Sequence, residues 1–254
     1  MLLAHRPGLS LVPYVEALWY YDGYQAAQHQ ERVLPDGRFQ LIIDLERGPG
    51  IVNGMRSKCL VIDTSPIRTV MGVVFQPGGA RPFFDGAADE FSNQVVTLDL
   101  VWGSSLACLL DRLHHGSRPA DKFRVLETAL QQRLTTRLEL HSAVQYGLEE
   151  FQRAPHVRGV LEVTKEAGLS RRRFSQLFRE QVGLTPKLYC RLRRFQEVVR
   201  QADLGAPVDW ADVALAGGYS DQAHLSHEFR DFSGLSPGAY LAAAKPFVNH
   251  VRVD

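Results

Sequence analysis

Arg172, Ser175 and Gln176 follow one another at helical spacing within AGLSRRRFSQLFREQVGLTP (167–186). Gln222, Ala223, Ser226 and His227 do the same within GGYSDQAHLSHEFRDFSGLSP (217–237). On a helix each set makes one outward stripe, because residues three and four apart share a face. The chemistry of these stripes is recognition rather than bond-making. Guanidinium and carboxamide groups can grip the edges of bases in paired hydrogen bonds, and hydroxyls donate or accept as required. Arg171, Arg173 and Arg179 flank the first stripe with charges suited to phosphate. Phe174, Leu177 and Phe178 occupy the inward positions of the first segment, and Leu225 and Phe229 those of the second.

The elements that must position these stripes form an internal repeat. Aligning Gly168-Leu169-Ser170 with Gly218-Tyr219-Ser220 brings Val160, Val163, Thr164 and Ala167 onto Trp210, Val213, Ala214 and Gly217. After a one-residue insertion in the second copy, Phe178 matches Phe229, and GLTP (183–186) matches GLSP (234–237). Each copy predicts a short helix, a tight turn and a second helix. Gly168 and Gly218 stand where a positive φ is needed. Ser170 and Ser220 are expected to cap the second helices. Leu169 and Tyr219 are expected to fill the space between the helices of each pair. An ordinary helical hairpin would satisfy one copy, but two copies in register with polar outer stripes point to helix-turn-helix units, whose second helices enter the major groove. The spacer PKLYCRLRRFQEVVRQA (186–202) reads as one helix of roughly 25 Å, which with the offset of each recognition helix from its end could hold the two about one DNA turn, roughly 34 Å, apart.

The segment from about 138 to 244 resembles the DNA-binding domain of the AraC/XylS family of bacterial transcription regulators. GYSDQAHLSHEFRDFSGLSPGAY matches that family's second motif and AGLSRRRFSQLFREQVGLTP its first, the one-residue difference in length included. The resemblance covers about two-fifths of the chain. Two positions depart from it: Thr164 stands where Ala is common, and His227 where Arg is common. More loosely, RVLPDGRFQLII and GVVFQPGGARPFF resemble the small β-barrel sensor domains of such regulators. The resemblance implies double-stranded DNA as partner, with a small-molecule effector, RNA polymerase and a homodimer as further ones. Two reading helices in one chain also allow a monomer to occupy two grooves. No cofactor, metal or catalytic residue is implied.

The totals fit this organisation. At 45% hydrophobic, 254 residues can bury a sizeable core. The net charge of +1 hides an asymmetry: Arg158–Arg200 holds eleven Lys/Arg against four Asp/Glu, whereas Asp203–Leu241 holds one against six. The arginine-rich copy is thus expected to carry most of the affinity through phosphates, and the acidic second copy to add fewer contacts. Cys59, Cys108 and Cys190 form no paired spacing, which argues against a disulfide framework or a structural zinc site. The opening MLLAHRPGLSLVPYVEALWYY lacks a continuous apolar run, and no later stretch approaches a membrane span, so a cytoplasmic protein without membrane partner is expected.

The expected fold class is α+β: a β-rich, small-barrel, cupin-like sensor or dimerisation domain with trailing helices (1–136), then an all-α DNA-binding domain (137–254). The helix-turn-helix motifs fall at about 160–181 and 209–232, joined by a linker helix at about 186–202, and the domain boundary near 135–138. HQERVLPDGRFQLIIDL predicts a hairpin around Pro-Asp-Gly, KCLVIDTS and RTVMGVVFQPGGARP predict strands, and everything beyond about Val101 reads as helical.

Other constellations carry less. GLSPG (234–238) has the form of a nucleophile elbow but follows a helix instead of a strand, so Ser236 is read as a helix cap. Asp221, His224 and His227 drift around their helix and make a poor metal face. His114 and His115 are adjacent and need only a helix end. Trp19, Tyr20 and Tyr21 with Phe75, Phe83 and Phe84 either line an effector pocket or form core. The arginines of RLRRFQEVVR either track phosphates or solvate a helix face. Two alternative functions stay open: an interaction module of the same fold with weak DNA binding, and an enzyme or DNA-repair sensor built on the N-terminal barrel, with Cys59 as a reactive thiol.

Overall fold

A computed structural model describes residues 1–24, 30–64, 68–134, 139–153, 158–204, 208–245, 247 and 249–253. The expected domain boundary at 135–138 lies outside the described residues.

Among the described residues of the first hundred there are eight strands: β1 (Leu2–His5), β2 (Val15–Tyr24), β3 (Gln30–Val33), β4 (Gln40–Asp44), β5 (Ile51–Asn53), β6 (Leu60–Asp63), β7 (Arg68–Phe75) and β8 (Val95–Thr97). Six of them form an antiparallel sheet in the order β1-β2-β7-β4-β5-β8. Alternation buries Leu41 and Ile43 from β4 and Met71, Val73 and Phe75 from β7 on its inner face. Phe39, Phe83, Phe84, Phe91 and Trp102 complete that core, with Phe84 stacked on Trp102 at 6.3 Å between ring centroids. Trp102 Nε1 donates to the Phe83 carbonyl at 3.0 Å, so its buried polar atom is satisfied. Phe75, Phe83, Phe84 and Tyr20 therefore belong to the core, while Trp19 and Tyr21 stay half-buried.

Three helices follow: α1 (Leu98–Trp102), α2 (Ser105–His115) and α3 (Pro119–Arg133). Leu106, Leu109 and Leu113 of α2 and Phe123, Leu126 and Leu130 of α3 are buried at three- and four-residue spacing, the pattern of helices lying on a core. α4 (Ser142–Arg153) opens the helical part, which continues with α5 (Val160–Glu166), α6 (Arg171–Val182), α7 (Pro186–Ala202), α8 (Trp210–Ala216), α9 (Gln222–Ser233) and α10 (Pro237–Ala242). A further strand, β9 (His250–Arg252), follows α10.

Three expectations are corrected here. The two runs around Pro-Asp-Gly do not pair as a hairpin: β3 lies in a second sheet of order β6-β3-β9, whereas β4 pairs with β7 and β5. The half-buried carboxylate of Asp36 redirects the connection by accepting from Arg38 N and from Gln40 Nε2, both at 3.0 Å. Among the described residues the β-rich half pairs as two sheets that do not close into a barrel, and β9, from beyond the helical part, supplies one of the strands beside β3. For the same reason the chain beyond Val101 is not wholly helical. Alternation in NHVRV (249–253) buries Val251 completely, and the register pairs Glu31 with Arg252 and Val33 with His250.

The returning strand fastens the helical part to the sheet. Asn249, at φ +63°, accepts from Leu34 N through its carbonyl at 2.8 Å and from Gln196 Nε2 of α7 through its side chain at 3.2 Å. His250 Nδ1 meets Glu31 Oε2 at 2.8 Å, giving the fully buried carboxylate a partner.

Candidate nucleic-acid interface

In the first helix-turn-helix unit α5 ends at Glu166 with Ala167 as its C-cap, and Gly168 turns the chain at φ +70°. No atom would crowd a side chain at Gly168, so its requirement is conformational rather than steric. Ser170 caps α6 by accepting from Arg173 N at 3.3 Å. Phe174, Leu177, Phe178 and Val182 bury one face of α6, and its last turn closes on Gly183 in the left-handed region. Thr164 is buried, and its hydroxyl returns to the Val160 carbonyl at 2.6 Å, which satisfies the polar atom where its counterpart Ala214 has none.

The second unit repeats the geometry with one shift. Asp209 caps α8, Gly218 turns the chain at φ +69°, and Tyr219 is buried between the helices. The cap of α9 is Asp221 instead of the expected Ser220: Asp221 Oδ1 accepts from His224 N at 2.7 Å. The inserted residue of this copy falls between the turn and the helix, displacing Ser220 by one position. Ser220 Oγ turns to His224 Nδ1 at 3.1 Å instead. Ser236 caps α10 ahead of Pro237, and the element before it is helix α9.

Helix α7, capped by Thr185 with Pro186 in its first turn, joins the units. Tyr189 packs edge-on to Phe178 of α6 at 5.6 Å, and Phe195 packs on Phe229 and Phe232 of α9 at 5.2 and 5.1 Å. Both second helices are therefore set against one rigid rod.

The named side chains take these places. Arg171, Arg172, Arg173 and Gln176 are exposed on α6 and Ser175 is half-buried; Gln222, Ala223 and His227 are exposed on α9 and Ser226 is half-buried. Among the described residues Arg171, Arg172 and Arg173 make no side-chain ion pair, so three charges at the start of α6 face solvent uncompensated. Gln176 Nε2 donates to Glu180 Oε1 at 2.8 Å, and His227 lies 3.8 Å from Asp231. Arg179 is different: its guanidinium holds Asp89 of the β-rich half at 2.8 Å. Two further bonds cross at the end of α9. Cys59 N donates to the Phe232 carbonyl at 2.9 Å, and Arg32 Nη1 to the Ser233 carbonyl at 2.9 Å.

The spacer arginines do something the sequence reasoning missed. Arg191 Nε donates to Glu228 at 2.5 Å, with Asp231 at 3.4 Å, and its guanidinium lies over the Phe232 ring. Arg194 reaches Glu228 and the Gly218 carbonyl at 3.4 and 3.2 Å and lies over the Tyr219 ring. Burial, together with Glu228 nearby, raises the Tyr219 hydroxyl above the ordinary tyrosine range. Arg158 binds Glu150 and Glu162 at 2.8 and 3.2 Å and also Glu166, which in turn accepts from the Tyr146 hydroxyl. The opposite charge balance of neighbouring segments was the available signal. The basic spacer and the acidic second unit are partners of each other.

Among the described residues no cluster of His, Cys, Asp or Glu has the arrangement of a metal site, and no helix is long and apolar enough to cross a membrane.

Two family models match separate parts of the chain. Residues 163–243 match the family described as a helix-turn-helix domain, and residues 3–97 match a domain of unknown function, DUF6597. The probable transcriptional regulator LumQ of Photobacterium leiognathi is 33% identical over 81 residues, a segment spanning 32% of this chain and 32% of LumQ. Among solved structures, the C-terminal domain of the response regulator AraT from Geobacillus stearothermophilus aligns with 42% of this chain and 88% of its own, at 18% identity and a TM-score of 0.38. ToxT from Vibrio cholerae aligns with 95% of this chain and 97% of its own, at 9% identity and a TM-score of 0.43.

Proposed function

We propose that the chain, whose residues 163–243 match a helix-turn-helix domain family, is a sequence-specific DNA-binding regulator of transcription of the AraC/XylS type, acting in the cytoplasm and catalysing no reaction. One observation carries the reading: two exposed polar helices, α6 and α9, are both packed on the 17-residue α7. A rod of that length spans roughly 25 Å. With the offset of each reading helix from its end, the two stripes come within reach of successive major grooves, about 34 Å apart, and a modest bend in the DNA closes the remainder.

In this reading Arg172, Ser175 and Gln176 face bases in one groove, and Gln222, Ala223, Ser226 and His227 face bases in the next. Arg171 and Arg173 take phosphates directly, and Arg179 joins them on releasing Asp89. The first unit supplies most of the affinity through its uncompensated arginines, and the second adds discrimination. The β-rich half serves as the sensor or dimerisation module. An effector acting there must favour one arrangement of the two halves over another, since differential affinity is the only way a ligand shifts such an equilibrium. RNA polymerase is the partner through which that shift would reach transcription.

The test is fluorescence anisotropy with DNA from upstream of the protein's own gene and with duplexes selected from a random library, across a salt series with scrambled competitor. The reading expects discrimination against the scramble and a steep fall of log K with log salt. Binding to no duplex, even at low salt, would reject it.

A further inference from the structure

The function proposed above makes no use of the cleft between the two helix-turn-helix units. Its volume is about 510 Å3, and its lining includes Arg158 ahead of α5, Lys187, Arg191 and Arg194 along α7, and His224 and Glu228 on α9. That is four cationic side chains against one carboxylate, with a histidine beside them. Glu228 is 6% exposed and is shared by two arginines, so it compensates only one of their charges. Asp231, which does not line the cleft, meets Arg191 at 3.4 Å, and the carboxylates holding Arg158 belong to α4 and α5. Lys187 is exposed and makes no ion pair among the described residues. A cleft of this kind fits an oxyanion better than an apolar ligand.

We propose that the cleft receives a phosphate of the DNA backbone where the duplex passes between the two major grooves, with Lys187 and the Arg191–Arg194 pair as its donors. The inference rests on the DNA-reading function and adds a contact that neither stripe supplies. Its position favours DNA as the source of the phosphate. Helix α7 spans the gap between the reading helices, and Lys187 lies in its first turn. On α9, His224 stands three residues before His227 and next to Ala223, so the cleft borders the base-facing stripe. Glu228 and Asp231 are the counter-ions that hold the two guanidiniums when no DNA is bound, and Lys187, without an ion pair among the described residues, is the charge left for the phosphate to meet. A free phosphorylated metabolite offers the same chemistry, so the experiment must separate the two sources.

The test uses the full chain and a fluorescein-labelled duplex of about 30 bp, long enough for two successive grooves. Lys187→Gln should reduce the slope of log K against log salt by about 0.9 and weaken binding about 8-fold at 0.1 M salt, while the affinity extrapolated to 1 M stays unchanged. Lys187→Arg should restore the slope. Because Lys187 is exposed and unpaired, circular dichroism and the melting temperature of both variants should match the parent. Arg172→Ala is measured in parallel. If it weakens binding while Lys187→Gln leaves the slope unaltered, the cleft contact is wrong and the DNA reading stands. If the parent protein binds no duplex, both fail. A third arm titrates pyrophosphate into the DNA-free protein at constant ionic strength. Saturable binding that Lys187→Gln abolishes, with an unaltered DNA salt slope, would assign the cleft to a free phosphorylated ligand and overturn the DNA assignment.

Discussion

Replacing Glu228 by Ala removes the carboxylate that binds α9 to the spacer helix, and its cost can be worked from the contacts. Deleting one partner of a fully buried ion pair costs about 3–5 kcal/mol, because the remaining charge is stranded. Here the arginines keep 31% and 18% of their side-chain exposure. Arg191 also retains Asp231, and Arg194 retains the Gly218 carbonyl. Water and these partners absorb part of the penalty, leaving about 2 kcal/mol. For a chain of this size that lowers the melting temperature by about 4–8 °C. Glu228→Gln keeps one acceptor for Arg191 Nε and should lose about half as much. The same substitution removes a negative charge beside the DNA-facing cleft, so non-specific duplex affinity at 25 °C should hold or rise while stability falls. Differential scanning fluorimetry and anisotropy on the same samples separate the two effects. A shift in melting temperature smaller than about 1 °C would refute the assignment of Glu228 as the counter-ion of the spacer.

Other consequences can be checked as directly. Truncation after Lys245 removes β9; loss of the fully buried Val251 side chain alone is worth about 2 kcal/mol, so the melting temperature should drop by at least about 4 °C. Asp89→Ala releases Arg179 and should steepen the DNA salt slope by up to about 0.9 with little change in stability, since the pair is partly exposed; an unaltered slope would mean that Arg179 does not reach phosphate. Burial pushes the Cys190 thiol up to about 12, against an exposed Cys108. At pH 8 its thiolate fraction is about a thousandfold lower than that of an ordinary thiol, so peptide mass spectrometry after iodoacetamide should find Cys108 labelled and Cys190 intact.

The helix-turn-helix units were legible because their determinants are local. Within each unit the turn glycine (Gly168 or Gly218), the cap that follows it and the inward aromatic (Phe178 or Phe229) lie within a dozen residues of one another. One inserted residue was enough to move the second cap from Ser220 to Asp221. Strand partners were not legible, because they depend on distant chain: Glu31 finds His250 across 219 residues. That pairing sets β3 in a second sheet, apart from β4. The acidic balance of the second unit was visible, but its meaning was not. Asp209 and Asp221 cap helices, Asp203 accepts from the Tyr240 hydroxyl and meets Lys245, and Glu228 and Asp231 hold spacer arginines. These carboxylates are engaged inside the domain and do not by themselves weaken its hold on DNA.

The central claim, that α6 and α9 read two successive major grooves from one chain, is tested most directly by hydroxyl-radical footprinting on a duplex selected from a random library. The account predicts two protected blocks on one face of the duplex, centred about 10–10.5 bp apart, with Arg172→Ala erasing one block more than the other. A single protected block that survives Arg172→Ala, or a library that yields no enriched sequence, would contradict it.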